Sequence, residues 1–179
     1  VHILCNGDST GSAKGVVTGG NAPYSYYWIY TATGDTVGAD SVLAGVPAGD
    51  YVLSIQDSLG CDGGTHPLTL TEPAALASSG VVANVSCNGG ADGSIDLTVT
   101  GGVAPYTYAW NGGAVSEDTS GLDAGMYTVM ITDANGCTLG DTFTVTEPAV
   151  LVASIVSVDS VSCNGGADGA IDATVTGGT

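Results

Sequence analysis

Between residues 95 and 100 apolar and polar side chains alternate without exception: Ile95, Leu97 and Val99 are interleaved with Asp96, Thr98 and Thr100. The same period of two runs through Tyr106, Tyr108 and Trp110, and again through Tyr127, Val129 and Ile131. Alternation rich in β-branched and aromatic residues predicts strands with one buried face. Gly101-Gly102, the "NGG" at 111–113 and the "NG" at 135–136 supply the positive φ angles that tight turns need. No segment has helical periodicity. Short strands with turns roughly every ten residues predict an all-β fold of tandem Ig-like antiparallel β-sandwich modules in a linear array.

The pattern is written more than once. "CNGGADGSIDLTVTGG" starts at Cys87, a near copy starts at Cys163, and a looser one, "CNGDSTGSAKGVVTGG", starts at Cys5. "APYSYYW" (22–28) returns as "APYTYAW" (104–110), "AGDYVLSIQDSLGC" (48–61) as "AGMYTVMITDANGC" (124–137), and "LTLTEPA" (68–74) as "FTVTEPA" (143–149). The spacing from Cys61 to Cys137 and from Cys87 to Cys163 is 76 residues in both cases. The expected modules are 1–73, 74–148 and an N-terminal fragment of a third, 149–179. "TATGDTVGAD" (31–40) lengthens a loop of the first module and is expected at the surface. Trp28 and Trp110 are expected as core anchors, Tyr51 and Tyr127 as tyrosine corners, and "TEPA" as the hinge between modules. Since the chain opens and closes on partial units, it is expected to be a length of a longer mature protein.

Composition narrows the function. Eighteen acidic residues face a single basic one, Lys14, for a formal charge of -17. That field repels phosphate backbones and anionic lipid, which argues against nucleic-acid partners. The 44% of hydrophobic residues, regularly patterned, is enough to bury a core despite the charge. No run of 18 apolar residues argues for membrane insertion.

Five cysteines suit an oxidising compartment. No CxxC spacing is present, and His2 and His66 are the only histidines, so zinc is disfavoured. The favoured pairing is Cys5 with Cys61 and Cys87 with Cys137, one staple per small module. Sandwich topology raises a competing arrangement. If the first cysteine follows the first strand and the second follows the last hairpin turn, they lie at opposite ends, and Cys5 comes near Cys137 of the next module.

The phrases "VSCNGGADGSIDLTVTGGVAPYTYAWNGG", "AGMYTVMITDANGC" and "VTEP" resemble the SprB-type repeat of Bacteroidetes surface proteins. The first unit departs from the pattern, with Thr10 where the second has Asp92. The resemblance implies a large tandem-repeat adhesin at the extracellular cell surface, exported by the type IX system and used for gliding or attachment, with the repeats as its stalk or filament. The expected partners are the neighbouring repeats, self-association into fibres, and surface glycans or other cells reached through the parent protein.

Chemistry-bearing residues are few. No nucleophile, base and orienting group recur together, so no enzyme activity and no required cofactor are expected. Calcium is the candidate cation, with Glu72, Asp92, Asp133 and Glu147 as its ligands and Asp57 and Asp168 as equivalents in other copies. Asx turns are the structural alternative at the aspartates. Triplets of Asp, Ser or Thr, and a small or aliphatic residue resemble Bacteroidetes O-glycosylation sequons. They mark Ser9, Thr36, Ser41, Ser58 and Ser160. The alternative to a spacer is a glycan-binding sandwich in which Tyr26, Trp28 or Tyr30 stacks on sugar, and a third reading is an accessory region of a secreted hydrolase.

Overall fold

The computed structural model describes residues 2–179, and among them every regular element is a β-strand. The first repeat contains β1 (Gly11–Lys14), β2 (Ser25–Tyr30), β3 (Thr36–Gly38), β4 (Val42–Val46), β5 (Gly49–Gln56) and β6 (Asp62–Leu70). They form two antiparallel layers, β1 with β4, and a sheet ordered β3-β2-β5-β6. Trp28 lies opposite Leu53, Tyr26 opposite Ile55, and Tyr30 opposite Tyr51, so strictly alternating positions reach the core together. That core is Trp28, Leu43, Val46, Tyr51, Leu53, Ile55 and Leu70, drawn from both layers. Each large apolar side chain so buried stabilises the sandwich by roughly 1.5–3 kcal/mol.

Two polar tips are satisfied inside this packing. Trp28 is 2% exposed, and its indole N–H donates to the Asp40 carbonyl at 2.9 Å. Tyr51 donates its hydroxyl to the Pro47 carbonyl four residues upstream at 2.8 Å, the tyrosine corner expected from the sequence. Burial, then the neighbouring Tyr30, pushes the Tyr51 phenol above its ordinary pKa. The long loop of the first repeat is at the surface but is not wholly irregular: Thr36–Gly38 adds an edge strand to β2, with Thr36 and Val37 exposed.

The second repeat lacks the extra edge strand but adds one strand, its first in chain order, to the layer that in the first repeat is β1 with β4. Its strands are β7 (Ala77–Ala83), β8 (Gly93–Thr100), β9 (Thr107–Trp110), β10 (Thr119–Leu122), β11 (Gly125–Thr132) and β12 (Thr138–Val145), in sheets ordered β10-β8-β7 and β12-β11-β9. Ile95, Leu97 and Leu122 are buried from one sheet, and Trp110, Val129, Ile131 and Val145 from the other. Trp110 donates to the Ser116 carbonyl at 3.0 Å, and Tyr127 to the Asp123 carbonyl at 3.1 Å, repeating the contacts of Trp28 and Tyr51. The third copy forms one antiparallel pair, β13 (Val152–Asp159) with β14 (Ala170–Thr176).

By its internal contacts the chain divides into two compact units. One is Val1–Ala77 with Val99–Tyr106 and Thr132–Leu139; the other is Ser78–Thr98 with Thr107–Ile131 and Gly140–Thr179. The first unit therefore takes in both the first repeat and two turn segments of the second. For the first of these segments two contacts explain why. Gly102 donates its N–H to the Ala74 carbonyl at 2.8 Å, and a Cβ on Gly101 would stand 1.8 Å from the Ala75 carbonyl oxygen. The residues after "TEP" thus lie flat on a Gly-Gly turn that only glycine can form, since both glycines have positive φ.

Gly101→Ala is expected to lower the melting temperature well beyond Gly113→Ala. Both glycines have positive φ, but the Gly113 position opens to empty space. Strain alone costs roughly 1–2 kcal/mol, and the backbone clash adds to it only at Gly101. Equal melting shifts in thermal denaturation of the two variants would show that the close approach does not constrain the fold.

Candidate functional site

The cysteine pairing differs from the favoured one. Cys5 is bonded to Cys137 with a Cα–Cα distance of 5.7 Å, while Cys61, Cys87 and Cys163 are free and exposed. The expected staples Cys5–Cys61 and Cys87–Cys137 are not formed, and the sheet register gives the reason. β5 and β6 pair from Gly49 opposite Leu70 to Gln56 opposite Asp62, so Cys61 sits at the hairpin end. Ile3 donates to the Thr71 carbonyl, and Asn6 to the Pro73 carbonyl, which holds Cys5 at the other end. Eight residues of strand separate the two ends by about 26 Å, far beyond the reach of a disulfide. The competing arrangement is the one adopted.

A single carboxylate shapes the turn that presents Cys137. Asp133 Oδ1 accepts the N–H groups of Asn135 and Cys137, both at 2.9 Å, and Oδ2 accepts the N–H of Val103, also at 2.9 Å. The Asp133 N–H donates to the Cys137 carbonyl, and Ala134 N–H to the Val103 carbonyl. The turn is therefore closed on itself and tied to the neighbouring loop. The first repeat builds the same hub: Asp57 Oδ1 accepts from Leu59 and Cys61 at 2.9 Å, and Oδ2 from Asn21 N–H at 3.2 Å. The Asx-turn reading captures one bond of each hub and misses those to the cysteine and the neighbouring loop. The recurring "D-x-x-G-C" phrase was the available signal.

Proton affinity follows the bonds. At Asp57 the Cys61 N–H is the largest influence, and with Asn21 and Leu59 it lowers the pKa against a desolvation cost. At Asp133 desolvation is the largest single influence and acts upward, but the N–H groups of Cys137, Val103, Asn135 and Gly136 together outweigh it, leaving the pKa lowered.

The loop bearing Cys5 is anchored by another carboxylate. Glu72 accepts from Asn6 Nδ2 at 3.1 Å and from Gly7 N–H at 2.7 Å. Glu147 repeats this with Gly89 N–H at 2.6 Å, while Asn88 Nδ2 reaches the Pro148 carbonyl at 3.1 Å. Asp92 accepts from both the hydroxyl and the N–H of Ser86, and Asp168 from Ser162, in each case lowering the carboxyl pKa.

The structure thus does not gather the carboxylates assigned to calcium. Glu72, Asp92, Asp133 and Glu147 each close their own loop on N–H or O–H donors, and among the described residues no group of three or more Asp, Glu, His or Cys side chains converges to hold a metal. Of the glycosylation candidates, Ser9, Thr36, Ser58 and Ser160 are exposed, and Ser41 is half-buried. The aromatic platform of the glycan-binding alternative is not formed around Trp28, which is buried, and Tyr30 packs on Tyr51 with ring centroids 5.1 Å apart.

Ig-like β-sandwiches in succession, with a disulfide running from the first repeat to the second, define a structural tandem-repeat module. The family model "SprB repeat" matches residues 1–33, 79–115 and 155–179, more than half of the chain. The chain belongs to the SprB repeat family. A decoration protein of Escherichia phage T5 is 37% identical over 73 residues, covering 35% of this chain and 44% of that protein, so the chain spans less than half the length of this relative. Among solved structures, the C-terminal 282-residue fragment of intimin, in complex with the translocated intimin receptor, is similar at 15% identity and a TM-score of 0.42, covering 79% of this chain and 58% of that one. An amphioxus IgVJ-C2 molecule is similar at 12% identity and a TM-score of 0.34, covering 78% and 97%.

Two outcomes are expected. Cys5→Ser should destabilise the protein by about 4–5 kcal/mol in the chain-entropy account of a loop exceeding 100 residues, whereas Cys61→Ser should leave denaturant midpoints unchanged; a matching loss in both variants would contradict the pairing. Asp133 and Asp57 have lowered pKa values when folded, so their stabilisation is complete above the unfolded carboxyl pKa of about 3.9 and is lost as pH falls through the folded value. Asp133→Asn presents an amide N–H₂ where an acceptor is needed. It should lower the melting temperature by several degrees at pH 7 and flatten the further loss below about pH 4. An unchanged acid limb in pH-dependent melting would remove Asp133 from this role.

Proposed function

We propose that this chain is a load-bearing spacer in the stalk or filament of a large secreted cell-surface adhesin, serving attachment or gliding. The observation that carries the reading is the Cys5–Cys137 bond, with a sequence separation of 132, which ties one repeat covalently to the next. A pull applied at the two termini passes through this bond and bypasses most of both sandwiches. A disulfide of this kind suits an extracellular location, where thiols stay oxidised. The acidic surface keeps such an array soluble and apart from nucleic acid, and among the described residues no helix is long and apolar enough to cross a membrane. The immediate partners are neighbouring repeats of the same chain; recognition of glycans or other cells belongs to the parent protein.

Single-molecule pulling from the termini tests the reading. In oxidising buffer the residues between Cys5 and Cys137 are shielded from extension, and reduction should release about 450 Å of additional contour length. Equal contour gains in oxidised and reduced protein would rule out a load path through the disulfide.

A further inference from the structure

The turn carrying Cys61 is built like the turn carrying Cys137, but what lies against it differs. Beside Cys137, Ala74 accepts the Gly102 N–H, Ala75 crowds Gly101, and Leu76 Cδ1 would stand 3.0 Å from a Cβ on Gly102. The third copy repeats this seating. Gly178 donates to the Ala149 carbonyl at 2.9 Å, and a Cβ on Gly177 would stand 1.9 Å from the Val150 oxygen. In the first copy, a Cβ on Gly19 would meet nothing within 4 Å, and the nearest atoms to one on Gly20 are side-chain atoms of Asp57 and Tyr24 at 3.5 Å. Here the surface is a groove of about 230 Å³ whose lining includes Gly19, Gly20, Tyr24, Asp57 and Cys61. Gly19 and Gly20 have φ of +85° and +71°, in the same region as Gly101 and Gly102 at +74° and +57°. The receiving surface is already in the shape that accepts a linker elsewhere in the chain, and it ends in an exposed thiol.

We infer that this groove is a docking site for another SprB repeat placed ahead of it in tandem: the residues following that repeat's "TEP" lie on Gly19 and Gly20, and its "CNG" cysteine forms a disulfide with Cys61. The inference deepens the spacer reading and rests on it. Cys87 is the matching donor half, since its loop is anchored by Glu147 and Asn88 as the Cys5 loop is by Glu72 and Asn6. Bond formation is thiol–disulfide exchange with a small-molecule disulfide. One cysteine thiolate attacks it to give a mixed disulfide and one released thiol; the second thiolate then attacks the protein sulfur and releases the other. The two cysteines lose two electrons and two protons, and the small disulfide is reduced to two thiols.

The test places a copy of residues 1–82 directly before Val1 of the full chain, which sets the added repeat in phase with the rest. The copy carries Cys61→Ser so that its peptides are distinct. After refolding in reduced and oxidised glutathione, cleavage at Asp and Glu followed by mass spectrometry reads the bonds. The expected result is a peptide joining the copy's Cys5 to Cys61 in the same sample as the Cys5–Cys137 peptide. If Cys5–Cys137 forms while Cys61 is alkylated by N-ethylmaleimide or bonded elsewhere, the inference is overturned; absence of Cys5–Cys137 overturns it as well, since that bond is its template. A second variant with Cys61→Ser in both places isolates docking from oxidation. Hydrogen exchange at the Gly20 amide should then slow by at least tenfold relative to the chain without the copy, and an unchanged rate overturns the docking. The pulling experiment reads only Cys5–Cys137, so failure here is distinguishable from failure of the spacer reading.

Discussion

Everything that distinguishes this chain from a pair of unconnected sandwiches depends on a carboxylate accepting several backbone N–H groups at once. With Lys14 as the sole basic side chain, the acidic residues have almost no cation to pair with. Asp133 instead gathers three amides from two loops, and charge-assisted bonds of this kind are stronger than neutral ones. The geometry of the cysteine turn is a result of that choice. The bond to the Cys137 amide helps to set the direction in which the thiol meets its partner.

The donor side of the junction solves the same problem with a different residue. Glu72 stands at the end of the last strand of the first repeat and reaches back to the loop of Cys5. The residues that follow it then lie on Gly101 and Gly102. Strand end, linker and cysteine loop are therefore held by one short stretch of chain. The packing of each sandwich explains its stability, but these three contacts explain how one repeat is joined to another.

The fold was legible because period two survives intact wherever a strand has one buried face. Ile95, Leu97, Val129 and Ile131 alternate in the sequence and are buried in the structure, and Trp28, Trp110, Tyr51 and Tyr127 occupy the places that their recurring phrases indicated. The long loop was read correctly as superficial, but the pairing of Thr36 with Ile29 depends on the shape of a neighbouring edge and has no local signature. The site was less legible. Counting cysteines per module carries no information about which end of a sandwich each occupies, so the favoured staples were wrong and only the topological argument pointed to Cys137. The roles of the acidic residues were hard to read for a related reason. A Glu or Asp at a loop looks the same in sequence whether it meets a metal ion or an N–H, and here Glu72 and Asp133 meet N–H groups.

The path of the Cys5–Cys137 bond has a consequence for the response of the chain to proteolytic cuts. Exposed loops such as 31–40 and 111–118 lie between the bonded cysteines, and loop tips are where proteolytic nicking concentrates. A single cut in either one leaves the two products covalently attached, with the strands on both sides of the cut still paired. Separation of the products then requires a second event.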